Sequence, residues 1–94
     1  MWVVEKMSHA PAQCFRLRDR GYIREGYAAD LVLVDLNGST QVSKDNILYR
    51  CAWSPFEGHR FPAAITHTLV NGVVVYENGG LTGSIAGQRL SFDR

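Results

Sequence analysis

The sequence predicts an α+β fold that is mostly β, in which two short N-terminal helices precede a small β-sheet unit of about four to six strands. Three observations support this prediction. Apolar residues recur at helical spacing over 2–7, residues 29–35 contain an unbroken Leu-Val-Leu-Val run, and Asn71-Gly72 separates two further apolar runs. The change of period near residue 20 divides the chain into a helical part, 1–20, and a β part, 21–94.

The helical part is predicted from spacing and capping residues. Residues 2–7 place Trp2, Val3, Val4 and Met7 on one face, and this helix begins without an N-cap, as the tail of a longer element would. Ser8 is a good N-cap for a second helix, and Pro11 then lies in its first turn, where a missing N–H costs little. Gly21 ends this helix or turns the chain just afterwards. Its buried side would consist of Ala12, Cys14, Phe15 and Leu17.

The first half of the β part contains the strongest predicted strand. Tyr22-Ile23 is a short extended piece, and Gly26 makes a turn before the strand from Ala29 to Asp35. The Leu-Val-Leu-Val run within this strand predicts burial on both faces. Residues 40–43 form a second, short strand, and Ser43 or Asp45 would cap a single helical turn.

The second half of the β part contains a hairpin signal. Residues 51–63 contain two prolines and a glycine, which predict a structured loop with aromatic anchors. Asn71-Gly72 between the strands Ala64–Val70 and Val73–Glu77 predicts a type I′ turn. Residues 81–94 are polar and contain glycine, with one short strand expected near Arg89 to Phe92.

Composition limits the classes of function. A chain of 94 residues with 46% hydrophobic residues allows one small globular domain of marginal stability on its own. The net charge of +1 gives no electrostatic reason to expect nucleic acid or an anionic membrane as a partner. Cys14 and Cys51 are interpreted as small buried residues, since two cysteines do not make a disulfide scaffold. No apolar run approaches the roughly 20 residues of a membrane span, so a cytoplasmic location is expected.

Candidate catalytic and metal-ligating residues are weighed against structural roles. No compact pair such as Cys-x₂-Cys anchors a zinc site, His67 is expected in a strand, and His59 is expected to be exposed on a loop. Asp30 and Asp35 would lie ~17 Å apart along a strand, too far to share a proton or metal, so Asp30 is expected to accept backbone N–H groups. Glu57 is expected to form a buried salt bridge and not to act in catalysis. The side chains weighed for zinc are His9, His59, His67, Cys14 and Cys51, and the serines without a His–acid arrangement are Ser54, Ser84 and Ser91.

A basic group and an aromatic group of residues could also form binding surfaces. The tightest basic group is interrupted by Asp19 and Glu25, which favours a solvated helix end and turn over a phosphate-binding patch. An aromatic group is assigned to core and interface packing in preference to a binding surface. The basic group comprises Arg16, Arg18, Arg20 and Arg24, and the aromatic group comprises Tyr22, Tyr27, Trp53, Phe56 and Phe61.

Five elements in order resemble the C-terminal part of a cyclic amidohydrolase. They are Ser8–Ala12, Gly21–Gly26, Ala29–Asp35, Trp53–Gly58 and Thr68–Tyr76. The Ser-Pro-Phe-Glu-Gly element followed by the Val-Asn-Gly hairpin is most similar to dihydroorotase, while allantoinases and dihydropyrimidinases share the Pro-Ala and Ala-Asp-Leu patterns. The resemblance implies a composite fold in which a small β-sandwich flanks a metal-bearing (β/α)₈ barrel, with residues 1–20 as the end of the barrel's helical region and residues 21–94 as the C-terminal segment of the sandwich. A barrel needs about 250 residues, so it is absent from this chain.

The resemblance also implies where the chemistry lies. The complete enzyme interconverts dihydroorotate and N-carbamoyl-aspartate in pyrimidine synthesis through a metal-activated hydroxide and a carboxylate proton shuttle. This chain has no His-x-His pair, and Lys6 and Lys44 do not match the context of the family's bridging lysine. Ser8–Ala12 shares only Ala-Pro with the Asp-x-Ala-Pro-His element that carries a metal ligand. We therefore assign no catalytic, cofactor-binding or metal-binding residue to the segment, and we expect zinc in the parent enzyme and no activity of the segment alone.

The expected partners follow from the same resemblance. They are the missing N-terminal barrel and sandwich strands of the parent chain, with a homo-oligomer as a further option. The first alternative is an independent small β-domain that acts as a binding or assembly module. The second is the C-terminal segment of a dihydropyrimidinase or allantoinase type of hydrolase.

Overall fold

The computed structural model describes residues 1–93. The chain begins with a continuous helical segment that has three parts: α1 (Trp2–Val4), a π-helical part (Glu5–His9) and α2 (Ala10–Cys14). Six strands follow: β1 (Leu31–Asp35), β2 (Thr40–Gln41), β3 (Arg60–Phe61), β4 (Ala64–Val70), β5 (Val73–Glu77) and β6 (Gly80–Leu81). The α+β, mostly β prediction is confirmed. No helix in the described part of the chain is long and apolar enough to cross a membrane.

The helical segment does not break at Ser8. His9 and Ala10 keep right-handed helical dihedral angles, and the backbone N–H of Ala10 donates to the carbonyl oxygen of Glu5. A π-helical turn lets the segment continue into Pro11, which has no N–H to donate and lies in the first turn of α2. The prediction that Ser8 caps a second helix is therefore wrong, because the chain never leaves the helical conformation there.

The helix ends at Cys14, and the chain then reverses along it. Arg16 has a φ of 55°, and the backbone N–H of Leu17 donates to the Ala12 carbonyl oxygen at 2.9 Å. Gly21 passes so close to the helix that a Cβ there would lie 2.5 Å from Ala12 Cβ and 2.8 Å from the Ser8 oxygen. Only a glycine fits this approach, and the chain does turn there as predicted.

The main sheet has four antiparallel strands in the order β1-β4-β5-β6. β1 pairs with β4 from Leu31 opposite Leu69 to Asp35 opposite Ala64, with an irregularity between Leu33 and Val34. β1 begins at Leu31, two residues later than predicted, because the backbone N–H of Asp30 bonds the Ala28 carbonyl oxygen and keeps these residues in a turn. The other edge of β1 has no strand beside it among residues 1–93.

The predicted hairpin is confirmed at both strands and at the turn. β4 and β5 have the predicted bounds, and Asn71 and Gly72 have φ angles of 50° and 81°. Two left-handed residues in succession define a type I′ turn. A second Asn-Gly turn, Asn78-Gly79, joins β5 to β6 with φ angles of 46° and 96°.

The remaining segments are short and irregular. β2 and β3 form a separate two-stranded sheet, and a 3₁₀ turn over Lys44–Asn46 follows Ser43. Ser43 is the N-cap of this turn, as predicted, and its backbone N–H donates to Asn46 Oδ1 at 3.0 Å as one half of a capping box. Tyr22-Ile23 does not form a strand. The strand expected near residues 89–92 is reduced to a single bridge between Phe92 and Leu17.

Very little of the described chain is buried. Ala12, at 5% exposure, is the one apolar residue of residues 1–93 that is fully buried. Leu17 is half-buried, but Phe15, Cys14 and Cys51 are exposed. The prediction that both cysteines are buried is wrong for this chain, because no other described element covers them.

Candidate functional site

The candidate functional site is a broad apolar surface. The accessible surface of this 10.5 kDa chain is 7609 Å², about 2,200 Å² more than a folded monomer of that mass exposes. Its radius of gyration is 15.2 Å, against about 12 Å for a compact domain of this length. One partner in a standard protein interface buries about 800 Å². The excess is therefore large enough to be the contact surface of a tightly associated partner.

β1 contributes the sheet part of this surface. Val32, Leu33 and Val34 are 53%, 51% and 51% exposed, so both faces of the strand are open. Burial on both faces was expected from the Leu-Val-Leu-Val run, and that expectation is wrong for the chain by itself. The physical reason is that β1 is an edge strand, and no described layer packs over either of its faces.

The helical segment and β1 together enclose an apolar groove. Its volume is about 470 Å³. We call this the helix–strand groove. Its lining includes Val4, Met7 and Pro11 from the helical segment, together with Ile23 and Val32. Met7 and Ile23 are 75% and 88% exposed, so the groove is open to solvent. Exposed apolar patches of this kind mark interaction surfaces in soluble proteins.

A second apolar patch lies on the loop before β3. The His59 and Phe61 ring centroids are 4.4 Å apart, and Phe56 contacts both rings at 6.4 and 5.9 Å. His59 is exposed on its loop, as predicted. Trp53 and Phe56 are 64% and 56% exposed, so they do not belong to a core of this chain. Their predicted role in interface packing stays a prediction.

Tyr22 fixes the loop after the helix to the helix itself. Its ring stacks on the His9 ring at 4.1 Å between centroids with an angle of 6°, and the Arg24 guanidinium lies 4.0 Å from the ring centre. Gln13 Nε2 donates to the Tyr22 hydroxyl. Cation–π and stacking contacts of this kind each contribute about 0.5–1.5 kcal/mol. Tyr22 is therefore a structural residue, in agreement with its predicted packing role.

Asp30 lies at the centre of a polar network. Its Oδ1 accepts the Asn71 backbone N–H at 2.8 Å, and its Oδ2 pairs with Arg20 Nη1. Arg20 Nη2 also donates to Asn71 Oδ1 at 2.9 Å. The Arg20 side chain is 15% exposed and the Asp30 side chain 37% exposed, so the guanidinium is shielded from water while the carboxylate is partly open to it. The predicted structural role of Asp30 is confirmed, whereas its pairing with Arg20 had no signal in the sequence.

The other arginines of the basic group lie in local contacts. Arg18 pairs with Asp93 at 3.2 Å, with both side chains more than half exposed, and Arg24 contacts Tyr22 and Tyr27. This agrees with a solvated helix end and turn. Glu57 is exposed and takes part in none of the ion pairs found within residues 1–93, so its predicted buried salt bridge is wrong.

The residues weighed for metal binding or catalysis lie apart. His67 is in β4 as predicted, where its Nε2 lies 3.7 Å from Glu77 Oε1 and its Nδ1 lies 3.0 Å from Thr66 Oγ1. Asp35 is engaged locally, since its Oδ1 accepts the Asn37 backbone N–H. No group of three or more His, Cys, Asp or Glu side chains able to hold a metal ion occurs within residues 1–93. The described donor set therefore does not fit a zinc site.

Comparison with known proteins finds similarity to dihydroorotases and to an allantoinase. Over 94% of its length it is 32% identical to the dihydroorotase of Pyrococcus horikoshii, and over 71% it is 44% identical to the dihydroorotase of Halobacterium salinarum. An allantoinase of Desulfitobacterium hafniense is 31% identical over 83% of the chain. The chain spans about a fifth of the length of these relatives, between 16% and 21%.

A solved structure gives the same result for the fold. The L-hydantoinase (dihydropyrimidinase) of Arthrobacter aurescens matches 84% of the chain with a TM-score of 0.73 and 34% identity, and the match covers 18% of that protein. Residues 2–75 match the model of the amidohydrolase family. A match over this share of the sequence, together with the shared fold, shows that the chain belongs to the amidohydrolase family.

Proposed function

We propose that this chain is the C-terminal structural segment of a dihydroorotase-like cyclic amidohydrolase. In this role its apolar surface packs against the remainder of the enzyme, including the barrel and the missing sandwich strands. The observation that supports the proposal most directly is the excess exposed surface, which includes β1 and the helix–strand groove. The similarity to dihydroorotases over most of the chain indicates which protein would cover that surface.

The proposed parent enzyme hydrolyses dihydroorotate reversibly to N-carbamoyl-aspartate. Zinc in such an enzyme would activate the attacking water, and residues outside this chain would hold it. Within residues 1–93 the residues named above serve other purposes: Asp30 orders a turn, and Tyr22 fixes a loop to the helix. The segment would therefore support the catalytic domain without touching the substrate.

A parent that acts on a different cyclic amide is the second candidate. The match to an L-hydantoinase structure and the similarity to an allantoinase support it. A panel of dihydroorotate, hydantoin, dihydropyrimidine and allantoin, assayed with the full-length enzyme, separates the two candidates. Preferential turnover of any substrate other than dihydroorotate would exclude the first.

An independent binding or assembly module is the remaining alternative. It is supported by the four-stranded sheet, in which every strand is paired with a neighbouring strand of this chain. The reading frame upstream of the Met1 codon distinguishes the two interpretations. A continuous frame that encodes a His-x-His pair supports the structural segment, while a stop codon and promoter immediately upstream support the module.

The activity test uses the purified chain. We expect no hydrolysis of dihydroorotate with or without added zinc, because the described residues do not form a metal site. Metal-dependent turnover by the 94-residue chain would contradict the proposal.

The association test uses the polypeptide encoded upstream, co-expressed with this chain. We expect a stable complex and recovered hydrolase activity. Val32→Asp, in the helix–strand groove, should weaken the complex by at least about tenfold, because a charge would be buried without a partner. Ile85→Asp is the matched control, since Ile85 is 99% exposed and lies outside the groove. Equal weakening by the two variants, or no complex with the unmodified chain, would contradict the assigned surface.

A further inference from the structure

Two turns of the main sheet contain the same dipeptide in the same conformation. Asn71-Gly72 joins β4 to β5, and Asn78-Gly79 joins β5 to β6. The φ angles are 50° and 81° in the first turn and 46° and 96° in the second. The local backbone and the chemical identity of the two pairs are therefore closely matched, and they differ only in the contacts around them.

Asn-Gly pairs undergo a spontaneous reaction that needs only water. The backbone nitrogen of the glycine attacks Cγ of the asparagine side chain, and a new N–C bond closes a five-membered succinimide. The Cγ–Nδ2 bond breaks, and the nitrogen leaves as ammonia after it takes up the proton lost by the backbone nitrogen. Water then opens the ring to aspartate or isoaspartate. Glycine favours the reaction because it has no side chain to obstruct the attack and allows wide backbone rotation.

Tertiary contacts restrain the first turn. The Asn71 carboxamide is bonded at both ends, since Oδ1 accepts from Arg20 Nη2 at 2.9 Å and Nδ2 donates to the Ala86 carbonyl oxygen at 2.6 Å. The attacking nitrogen is bonded as well, because the Gly72 N–H donates to the Ala29 oxygen at 3.0 Å. Succinimide closure at this turn requires all three hydrogen bonds to break before the side chain can rotate onto the Gly72 nitrogen.

The second turn lacks these restraints. Asn78 is exposed, and its backbone N–H donates to the Thr66 oxygen at 2.8 Å, which holds the backbone but leaves the side chain untouched. Within residues 1–93 neither the Asn78 carboxamide nor the Gly79 N–H has a hydrogen-bond partner. The side chain and the nucleophile are therefore both free to reach the geometry of attack.

We propose that Asn78 is a site of spontaneous deamidation and isoaspartate formation, and that the fold protects Asn71 from the same reaction through Arg20, Ala86 and Ala29. The modification replaces a neutral amide with a carboxylate beside Glu77. It would lower the formal net charge of the chain from +1 to zero. This proposal does not depend on the function proposed above.

The test compares the two turns within one molecule. The purified chain is incubated in mildly alkaline buffer, and peptide mapping by mass spectrometry follows aspartate and isoaspartate at each position. We expect Asn78 to react at least about tenfold faster than Asn71 in the folded chain, because the Asn71-Gly72 turn must first lose two hydrogen bonds of the Asn71 carboxamide and one of the Gly72 N–H. In concentrated urea the two rates should become similar. Equal rates without urea, or a faster reaction at Asn71, would overturn the proposal. The chain has a third Asn-Gly pair, Asn37-Gly38, whose deamidation is measured on a different peptide in the same map and so does not affect the comparison.

A variant tests the restraint itself. Arg20→Gln removes the donor to Asn71 Oδ1 and should accelerate deamidation at Asn71 about fivefold, with Asn78 as an unchanged internal reference. Arg18→Gln is the matched control, because within residues 1–93 the Arg18 side chain forms only an exposed ion pair with Asp93, so the substitution should leave both rates unchanged. Hydrogen exchange at the β4 and β5 amides verifies that each variant is folded. An Asn71 rate in folded Arg20→Gln equal to that of the unmodified chain would overturn the assigned protection.

Discussion

Of the glycines, Gly21 is the one at which an added Cβ would meet the closest neighbours, and its replacement with alanine should destabilise the chain strongly. The φ angle at Gly21 is +86°, and a Cβ there would lie 2.5 Å from Ala12 Cβ and 2.8 Å from the Ser8 oxygen. The left-handed conformation costs a non-glycine residue about 1–2 kcal/mol, and overpacking costs about 1–3 kcal/mol. We therefore expect Gly21→Ala to lower the free energy of unfolding by about 2–5 kcal/mol.

Gly26→Ala is the matched control for this prediction. Gly26 has a φ of +85°, but a Cβ there would meet nothing within 4 Å. This variant should therefore show only the backbone cost of about 1–2 kcal/mol. The measurement is urea unfolding followed by circular dichroism, with the midpoint compared at an unchanged m value.

A double mutant identifies the source of the excess cost. Adding Ala12→Gly to Gly21→Ala removes the closest of the overlapping atoms, the Ala12 Cβ. The double mutant should therefore lose at least about 0.5 kcal/mol less free energy of unfolding than the sum of the losses in the two single mutants. If Gly21→Ala and Gly26→Ala had the same stability, the close approach of Gly21 to the helix would have no energetic consequence, and the reasoning would be refuted.

Two further predictions concern polar contacts. Asp30→Ala should lower the free energy of unfolding by about 1–3 kcal/mol, because it leaves the shielded Arg20 and the Asn71 N–H without their acceptor. The control is Asp93→Ala, which removes an exposed pair with Arg18 and should change the free energy of unfolding by less than about 0.5 kcal/mol. Equal effects of the two variants in urea titrations would argue against the network. Asn46→Ala should cost about 0.5–1 kcal/mol, since Asn46 bonds both Ser43 and the Gln41 oxygen. Lys44→Ala is its control, and hydrogen exchange at the Ser43 amide should rise in the first variant alone.

Local chemistry explains which elements were predictable. The bounds of β4 and β5 follow from apolar runs on either side of Asn71-Gly72, because a type I′ turn fixes the pairing of the strands next to it. The short 3₁₀ turn after Ser43 follows in the same way from its capping side chains. By contrast, Ser8 has the chemistry of an N-cap, yet it lies inside a helix that continues through a π-helical turn.

The parts that were not predictable depend on residues far apart in the chain. The pairing of Arg20 with Asn71 joins positions 51 residues apart, and that of Asn71 with Asp30 joins positions 41 apart. No periodicity or spacing rule acts over such distances. The side-chain exposure of Cys14, Cys51 and Glu57 was also mispredicted, since burial depends on what packs over a residue and not on its neighbours in sequence.

The sequence by itself determined the family, the mostly β fold and the central hairpin, because these depend on ordered motifs and on turn chemistry that act within a few residues. The tertiary structure alone decided that the helix is continuous, that Arg20, Asp30 and Asn71 form one network, and that β1 is an edge strand with both faces open. The apolar run in β1 predicts a buried strand, but only the arrangement of the other strands shows that β1 stays exposed in this chain. For that physical reason β1 and the groove beside it are the surface to which the proposal above assigns the contact with a partner segment.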